Sequence, residues 1–266
     1  MTIGFNHLGQ LGQLGNQMFQ YAITKSVASK LNVPFKIPNH QNIFDDGIGN
    51  RYTILLFDIF QLESLSNFGF VDTQKYIQEK HFHYDETIFD VLPQEDCSLW
   101  GFFQSEKYFK HIENEIKNDF TFRDDIYNPC KEMISSLDNP IALHIRRTDY
   151  ITNPNHTCLG MNYYQKALEY FPVETVLIFS DDPQWCQSQE LFSDDRFLVS
   201  DNDDAYIDMC LMTMCKGHII ANSSFSWWGA WLANSNKVIA PKGWFEGSSN
   251  SHLDTNNIYC PDWIVL

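Results

Sequence analysis

The second half of the chain alternates apolar segments of strand length with segments of helical periodicity. The strand-length segments are "IALHIR" (141–146), "TVLIF" (175–179), "RFLVS" (196–200), "HIIA" (218–221) and "KVIA" (237–240). The segments between them, "MNYYQKALEYF", "PQWCQSQELF", "AYIDMCLMTMCK" and "SFSWWGAWLAN", predict helices. Strands that alternate with helices pair in parallel through right-handed crossovers. This half therefore predicts a doubly wound α/β sheet.

The first half begins with a similar but shorter pattern. A strand near residues 3–6 precedes a glycine loop, and a helix from about Asn16 to Leu31 precedes the strand "VPFKI". Phe19, Ile23 and Val27 recur every fourth residue and lie on one face of that helix. Residues 40–100 show no pattern that assigns elements. The two halves are expected to meet within residues 128–140.

Composition excludes some classes of partner. The chain carries 18 basic and 34 acidic residues, a formal net charge of −16, which disfavours nucleic acid as a partner. Seven cysteines, none in a C-x-x-C pair, favour reduced thiols over a disulfide framework or a zinc site. No signal peptide and no apolar stretch near the ~18 residues of a membrane span is found, so a cytoplasmic protein is expected.

The stretch "PIALHIRRTDY" places Arg146 and Arg147 at the carboxyl end of a predicted strand, where doubly wound sheets bind ligands. Neighbouring guanidiniums repel and do not lose their protons, so an anion is expected opposite them. Strand alternation puts His144 and Arg146 on one face and Arg147 on the other. One arginine is expected to fork onto a phosphate, and the other, Arg147, to pair with Asp149. The alternative is a pair of ordinary surface ion pairs.

A second candidate is "ANSSFSWWGAW", residues 221–231. Asn222, Ser223 and Ser224 stand where a helix is predicted to begin, and hydroxyls with free N–H groups at a helix N-terminus can hold an anion. The alternative is an ordinary serine N-cap. The tryptophans of this segment are predicted to be core residues.

Three acidic segments lie near predicted strands, and two of them, "FSDD" (179–182) and "DND" (201–203), follow a strand directly. In "FSDD" (179–182), Asp181 and Asp182 could accept bonds from ribose hydroxyls or a base, but Asp182 before Pro183 is equally a helix cap. The second "FSDD", at 192–195, is predicted to be only a loop. "DND" at 201–203 has the spacing of a divalent-metal site, and capping of the next helix by Asp203 or Asp204 is the favoured alternative.

The glycine-rich stretch "GQLGQLGNQMFQYA", residues 9–22, fits neither G-x-G-x-x-G nor the Walker loop. Its glycines, Gly15 among them, allow a backbone to approach a ligand closely. Asn16 and Gln17 could contact sugar hydroxyls or cap the helix.

Together these segments resemble glycosyltransferase family 11, the α-1,2-fucosyltransferases. "HIRRTDY" looks like the H-x-R-R-x-D motif of that family, "GQLGNQMFQYA" like its N-terminal motif, and "FSDD" and "ANSSFSWWGAW" like its two C-terminal motifs. The chain departs from the commoner pattern by Thr148 in place of glycine and by "GQLGQLG" in place of "GGLG".

The resemblance implies a GT-B-like α/β fold, in which two Rossmann-like lobes face each other across a cleft. Residues 1–135 would form the acceptor-side lobe and residues 136–266 the GDP-sugar-binding lobe, with the C-terminal tail packing back on the first. The implied reaction is transfer of L-fucose from GDP-fucose, with inversion, to the 2-hydroxyl of a terminal β-galactoside. The product would belong to an O-antigen or capsule glycan, which would allow peripheral contact with a lipid-linked acceptor. No metal or other cofactor would be needed, because arginine replaces the metal at the pyrophosphate.

The resemblance also implies roles for individual residues. Arg146 with the serine hydroxyls would stabilise the leaving GDP. Asp149 is preferred over His144 as the base, with a carboxylate of the first half as a further option. The implied donor-binding set is Arg146, Arg147, Asp181, Asp182, Asn222, Ser223, Ser224, Phe225, Ser226, Gly15, Asn16 and Gln17.

Three alternatives remain open from the sequence: another GDP-sugar as donor, another acceptor hydroxyl, and a GDP-sugar- or glycan-binding protein without turnover. Acceptor specificity is expected within residues 40–100. There "HFHY" and "WGFF" offer stacking surfaces for sugar rings, although "LWGFF" is equally a core strand.

Overall fold

The chain forms two compact units in the computed structural model, which describes residues 1–39, 44–45, 51–62, 68–90, 95–202 and 204–266. The first unit comprises Met1–Arg123 with Asp254–Ile258, and the second comprises Asp124–Leu253 with Tyr259–Leu266. None of the helices within the described ranges combines the length and the apolar character that a membrane crossing requires.

The first unit contains a four-stranded parallel sheet in the order β2-β1-β6-β5. Its strands are β1 (Ile3–Gly4), β2 (Phe35–Lys36), β5 (Tyr76–Gln78) and β6 (Cys97–Trp100), and β3 (Phe44–Asp45) pairs antiparallel with β4 (Arg51–Tyr52). Its helices are α1 (Leu14–Leu31), α2 (Leu56–Ile59) and α3 (Glu113–Asp119), and 3-10 turns span Glu86–Phe89, Glu106–Tyr108 and Lys110–Ile112. The predicted β-α-β start is confirmed.

Helix α1 is the central element of the first unit. Phe19, Ile23 and Val27 are fully buried, as their spacing predicts. The helix ends at Asn32, whose left-handed backbone (φ 52°) lets its N–H bond the last carbonyls. Strand β6, which holds the first residues of "LWGFF", is buried over most of its length, so that segment is a core strand at its start.

The second unit contains a six-stranded parallel sheet in the order β12-β11-β10-β7-β8-β9. Its strands are β7 (Ile141–Ile145), β8 (Val176–Ser180), β9 (Phe197–Val199), β10 (Gly217–Ile219), β11 (Lys237–Ala240) and β12 (Ile264–Val265). Its helices are α4 (Asp124–Ser135), α5 (Thr148–Thr152), α6 (Met161–Leu168), α7 (Pro183–Gln187), α8 (Ala205–Met214) and α9 (Ser224–Ala233). Every strand and helix predicted for this half is present, which confirms the doubly wound sheet.

Two features of the second unit position the candidate site. Strand β7 lies between β8 and β10 and is buried at all five residues, so its carboxyl end emerges at the middle of the sheet. Trp227 and Trp228 of α9 are fully buried and pack edge to face at 5.0 Å, which confirms their core role.

Helix α4 belongs to the second unit, although its residues were expected in the first half. Its Cys130 Sγ lies 3.7 Å from the carbonyl of Ile207 in α8.

Candidate active site

Three loops meet at the carboxyl edge of the second sheet. They follow the adjacent strands β7, β8 and β10, and they begin with Arg146, Asp181 and Ile220 respectively. Because the three strands are parallel neighbours, the arginine pair, the "FSDD" carboxylates and the serine-rich helix start lie close together. The sequence placed each of these segments at a strand end, and the sheet order brings them to one place.

Asp181 anchors the arginine loop. Its Oδ1 accepts the backbone N–H of Arg147 at 2.8 Å, and its Oδ2 accepts the N–H of Thr148 at 3.1 Å and the Thr148 hydroxyl at 2.5 Å. The same Oδ2 lies 3.1 Å from Nη1 of Arg146. The threonine that replaces the commoner glycine therefore adds a bond to the anchor. Both Asp181 oxygens hold the loop in this structure, and contact of Asp181 with a ribose or a base remains a prediction.

Arg146 is paired with two carboxylates. Besides Asp181, its Nη2 lies 2.7 Å from Oδ1 of Asp149, one turn further along the chain. The Arg146 side chain is 27% exposed and that of Asp149 is 50% exposed, so this pair forms the solvent-facing side of the network. The expected pairing of Asp149 with Arg147 is wrong, because Asp149 pairs with Arg146.

Arg147 has different partners. Its Nε donates to Oδ2 of Asp182 at 3.1 Å, and its guanidinium carbon lies 3.7 Å from the centre of the Trp185 ring. The other carboxylate oxygen of Asp182 accepts the N–H of Trp185 and caps α7, so the capping interpretation is confirmed. A cation stacked on tryptophan and ion-paired at its edge fixes the start of α7 against the loop. Arg147 is thereby a packed residue, 18% exposed.

His144 is buried within β7. Its side chain is 6% exposed, its ring lies 5.6 Å from that of Phe225, and its Nδ1 finds no hydrogen-bond acceptor or donor among the described residues. Burial and, second, the charge of Arg146 lower the pKa of His144 to about 3. The imidazole is therefore neutral near pH 7.

The first turn of α9 separates the serines by role. Ser223 is the N-cap, because its hydroxyl accepts the N–H of Phe225. Ser226 is 1% exposed, and its hydroxyl donates to the carbonyls of Ala221 and Ser223. Ser224 and Phe225 are half-buried. Ser224 is thus the least buried serine of this turn, whereas Ser226 can contribute its backbone.

Asn222 and Tyr150 join the loops around the site. The Asn222 side-chain amide donates to the carbonyls of Thr157 and Trp244, both at 2.9 Å, and the backbone carbonyl of Asn222 accepts the Tyr150 hydroxyl at 3.2 Å. Tyr150 also stacks on His156 at 4.3 Å, and its ring centre lies 5.5 Å from Arg146. Burial raises the pKa of Tyr150 to about 12, so its hydroxyl stays a donor. Sequence reasoning missed Tyr150, although it closes the "HIRRTDY" motif.

The glycine-loop residues lie in the first unit. Gly15, Asn16 and Gln17 fall in the first turn of α1. Gln17 is 1% exposed and bonds the backbone of Thr53 and Leu55, whereas Asn16 accepts a 2.7 Å bond from Gln104. These amides hold neighbouring segments of the first unit. Their predicted contacts with the donor remain a prediction.

The metal alternative rested on Asp201 and Asp203. Asp203 lies outside the described residues, and Asp204 caps α8 by accepting the N–H of Tyr206 at 2.8 Å. Within the described ranges, no three His, Cys, Asp or Glu side chains converge on a point where a metal ion could be held.

Solved structures of fucosyltransferases share this fold. POFUT1 in complex with GDP matches with a TM-score of 0.55 and 13% identity, over 88% of this chain and 95% of that one. The α-1,6-fucosyltransferase NodZ soaked with GDP-fucose matches with a TM-score of 0.54 and 15% identity, over 91% and 94% of the two chains. At such identities the likeness concerns the fold, and it confirms the α/β, GT-B-like class.

Sequence comparison identifies the family. The O-antigen biosynthesis glycosyltransferase WbnK of Escherichia coli is 38% identical over 55% of this chain, a match that covers about half (53%) of that relative. An α-1,2-colitosyltransferase of Escherichia coli is 30% identical over 96% of both chains. The model of glycosyl transferase family 11 matches residues 2–266. The chain belongs to glycosyl transferase family 11.

Proposed function

We propose that this chain transfers L-fucose from GDP-fucose, with inversion and without a metal, to the 2-hydroxyl of a terminal β-galactoside. The family supports glycosyl transfer, and galactoside α-(1,2)-fucosyltransferase 1 of Homo sapiens matches about half of the chain (49%) at 25% identity. The observation that carries the proposal is the placement of Arg146. It is held by Asp181 at the carboxyl edge of the sheet, where the loop from β10 to α9 also lies.

The donor diphosphate binds between Arg146 and the first turn of α9. Helix N-termini offer N–H groups to anions, and Ser224 adds a hydroxyl. Because Asp149 occupies one edge of the Arg146 guanidinium, the diphosphate takes the place of this exposed carboxylate. Asp181 keeps its bonds to the loop throughout, since they are made to the N–H groups of Arg147 and Thr148 and not to the Nη2 that Asp149 occupies.

The guanidinium of Arg146, already oriented by Asp181, stabilises the transition state of the transfer. As GDP leaves, negative charge grows on its β-phosphate while the sugar becomes oxocarbenium-like. An arginine whose orientation is already fixed by Asp181 stabilises that charge with little reorganisation. This interaction strengthens in the transition state and replaces the metal that other transferases use.

Asp149 is the base in this proposal. Displacement from Arg146 frees its carboxylate for the acceptor hydroxyl, so donor binding and base release are coupled. His144 fits the role less well. Its ring is buried against Phe225, so an acceptor hydroxyl has less access to it than to the half-exposed Asp149.

A second donor sugar is favoured by a specific observation, the relative named an α-1,2-colitosyltransferase. Colitose is L-fucose without its 3-hydroxyl, so one pocket could be built for either sugar. A site that bonds the 3-hydroxyl rejects the deoxy sugar strongly, whereas a site without that bond does not. The O-antigen relative makes a lipopolysaccharide-type glycan the first acceptor class to test.

The test is acceptor-dependent release of GDP from GDP-fucose, GDP-colitose and GDP-mannose against a panel of β-galactosides. The proposal expects release from GDP-fucose only when a galactoside is present, and equal rates in excess EDTA. Preference for GDP-colitose would replace the donor, and binding of GDP-sugars without turnover would favour a binding protein. A rate restored only by manganese or magnesium would overturn the metal-free mechanism.

A further inference from the structure

A groove of about 430 Å³ opens on the first unit. One wall is the segment after β1, with Asn6, His7 and Gln10, and the other runs into the first residue of β5, with Phe70 and Tyr76. This volume lies within the roughly 300–1,000 Å³ of small-molecule sites. None of the roles assigned above uses these residues.

The wall after β1 is fixed by hydrogen bonds. The Asn6 side chain donates to the carbonyl of Val71 and accepts its N–H, both at 2.9 Å, so it links the two walls. His7 bonds the Gln10 amide at 2.9 Å and packs its ring 4.3 Å from Trp100. The groove is therefore formed before any ligand binds, which lowers the entropic cost of binding.

Two large rings at the groove face solvent. Phe70 is 46% and Tyr76 is 44% exposed, whereas the aromatic residues of α1 are buried. The Tyr76 ring lies 5.4 Å from the His7 ring of the opposite wall, so these two rings meet across the groove. Exposed apolar rings beside a polar rim are typical of ligand sites, and a flat ring matches the C–H face of a pyranose.

The remaining lining is polar and lacks basic side chains. Gln10 and Gln74 offer amides, and Asp72 offers a carboxylate, which together can bond sugar hydroxyls in either direction. Neither lysine nor arginine is found among the described residues that line the groove. This chemistry favours a neutral sugar over a phosphate, a nucleotide or an acidic sugar.

We propose that this groove binds a neutral sugar of the acceptor glycan other than the galactose that is fucosylated. The inference rests on the proposed function and names the residues that would select among acceptors. Gln10 stands immediately before the turn at Gly12 that leads into α1, the segment matched by the N-terminal family motif. Phe70 and Tyr76 stack on the ring of this sugar, and the amides bond its hydroxyls.

Acceptor kinetics test the proposal. The probes are methyl β-galactoside, which ends at the reacting sugar, and neutral trisaccharides that end in β1,3- or β1,4-linked galactose. Tyr76→Ala, alone and with Phe70→Ala, should raise KM for the best trisaccharide about tenfold. The kcat, the KM for GDP-fucose and the kinetics with methyl β-galactoside should stay near wild type. Tyr76→Phe, which keeps the ring, should behave as wild type, and so should Tyr170→Ala, which removes an exposed tyrosine of the second unit.

The groove proposal and the proposed function are tested by different proteins: activity of the wild type tests the function, and the KM of Tyr76→Ala tests the groove. If wild type transfers fucose but Tyr76→Ala leaves every trisaccharide KM unchanged, the groove proposal is overturned. If wild type transfers nothing to any galactoside, the proposed function fails. In that case saturation-transfer NMR of the trisaccharide decides the groove: a signal lost in Tyr76→Ala supports it, and an equal or absent signal in both proteins contradicts it.

Discussion

Asp181 holds Arg146 and its loop from the neighbouring strand, with Oδ2 at 3.1 Å from Nη1 of the arginine and both carboxylate oxygens on backbone N–H groups. Two guanidiniums in this loop face three carboxylates, those of Asp149, Asp181 and Asp182. The protein thus supplies its own counter-ions, and under the proposed function a diphosphate would compete with the most exposed of them, Asp149.

Removal of the Arg146 guanidinium should lower kcat/KM roughly 10²-fold or more, because its contact strengthens in the transition state. Arg146→Lys should recover little, since an ammonium cannot bridge both Asp181 and the phosphate. Arg146→Ala also leaves Asp149 and Asp181 without their shared cation, so the lysine variant is the better measure of chemistry. Steady-state kinetics with melting curves check both, and near-normal turnover of either variant would refute the role.

Asp181→Asn should weaken GDP binding without direct contact with GDP. An amide cannot accept all the bonds that Asp181 accepts, so the arginine loop loses its orientation and about 1–3 kcal/mol of stabilisation. The matched control is Asp194→Asn, in the second "FSDD", where an exposed carboxylate accepts the N–H of Arg196. The melting-temperature rise caused by GDP should shrink in the first variant only. An equal rise in both would show that Asp181 does not position the donor site.

Asp149→Asn should abolish transfer and leave the GDP-induced rise in melting temperature at least as large as in wild type. The reason is that Asp149 competes with the diphosphate for Arg146, so loss of its charge removes a competitor as well as the base. Calorimetric titration with GDP and a transfer assay measure the two effects. If GDP binding falls instead, Asp149 orients Arg146 and the base must be sought among other carboxylates.

Acid should destabilise the fold partly through His144. The pKa of this buried ring is about 3, below the roughly 6.5 of an unfolded histidine. Between these values the unfolded chain binds a proton that the folded one does not, so stability is present above pH 6.5 and is lost as the pH falls. The melting temperature of His144→Phe should therefore fall less between pH 7 and pH 5 than that of the wild type. An identical pH dependence in both proteins would contradict the burial of a neutral imidazole.

The parallel sheet of the second unit could be predicted because its strands are continuous apolar runs separated by helical segments. The same logic could not assign residues 40–100, because strands such as β5 are three residues long and largely exposed. Periodicity needs a longer window than these strands provide.

The predicted partner of Asp149 was wrong just where the strand ends. Strand β7 ends at Ile145, Arg147 is the N-cap of α5, and Asp149 lies in the first turn of that helix. Asp149 therefore returns to Arg146 as an i,i+3 pair. The anchoring role of Asp181 could not be read locally, because its partners lie 33 to 35 residues away in sequence and are joined to it by the sheet order.

The most direct measurement of the proposed function is NMR analysis of the product formed from GDP-fucose and a β-galactoside trisaccharide. The expected product carries one fucose, in the α configuration, on the 2-hydroxyl of the terminal galactose. The β-linked fucose of the donor would then have been transferred with inversion. A β-linked product, a bond to another hydroxyl, or no product with any galactoside would contradict it.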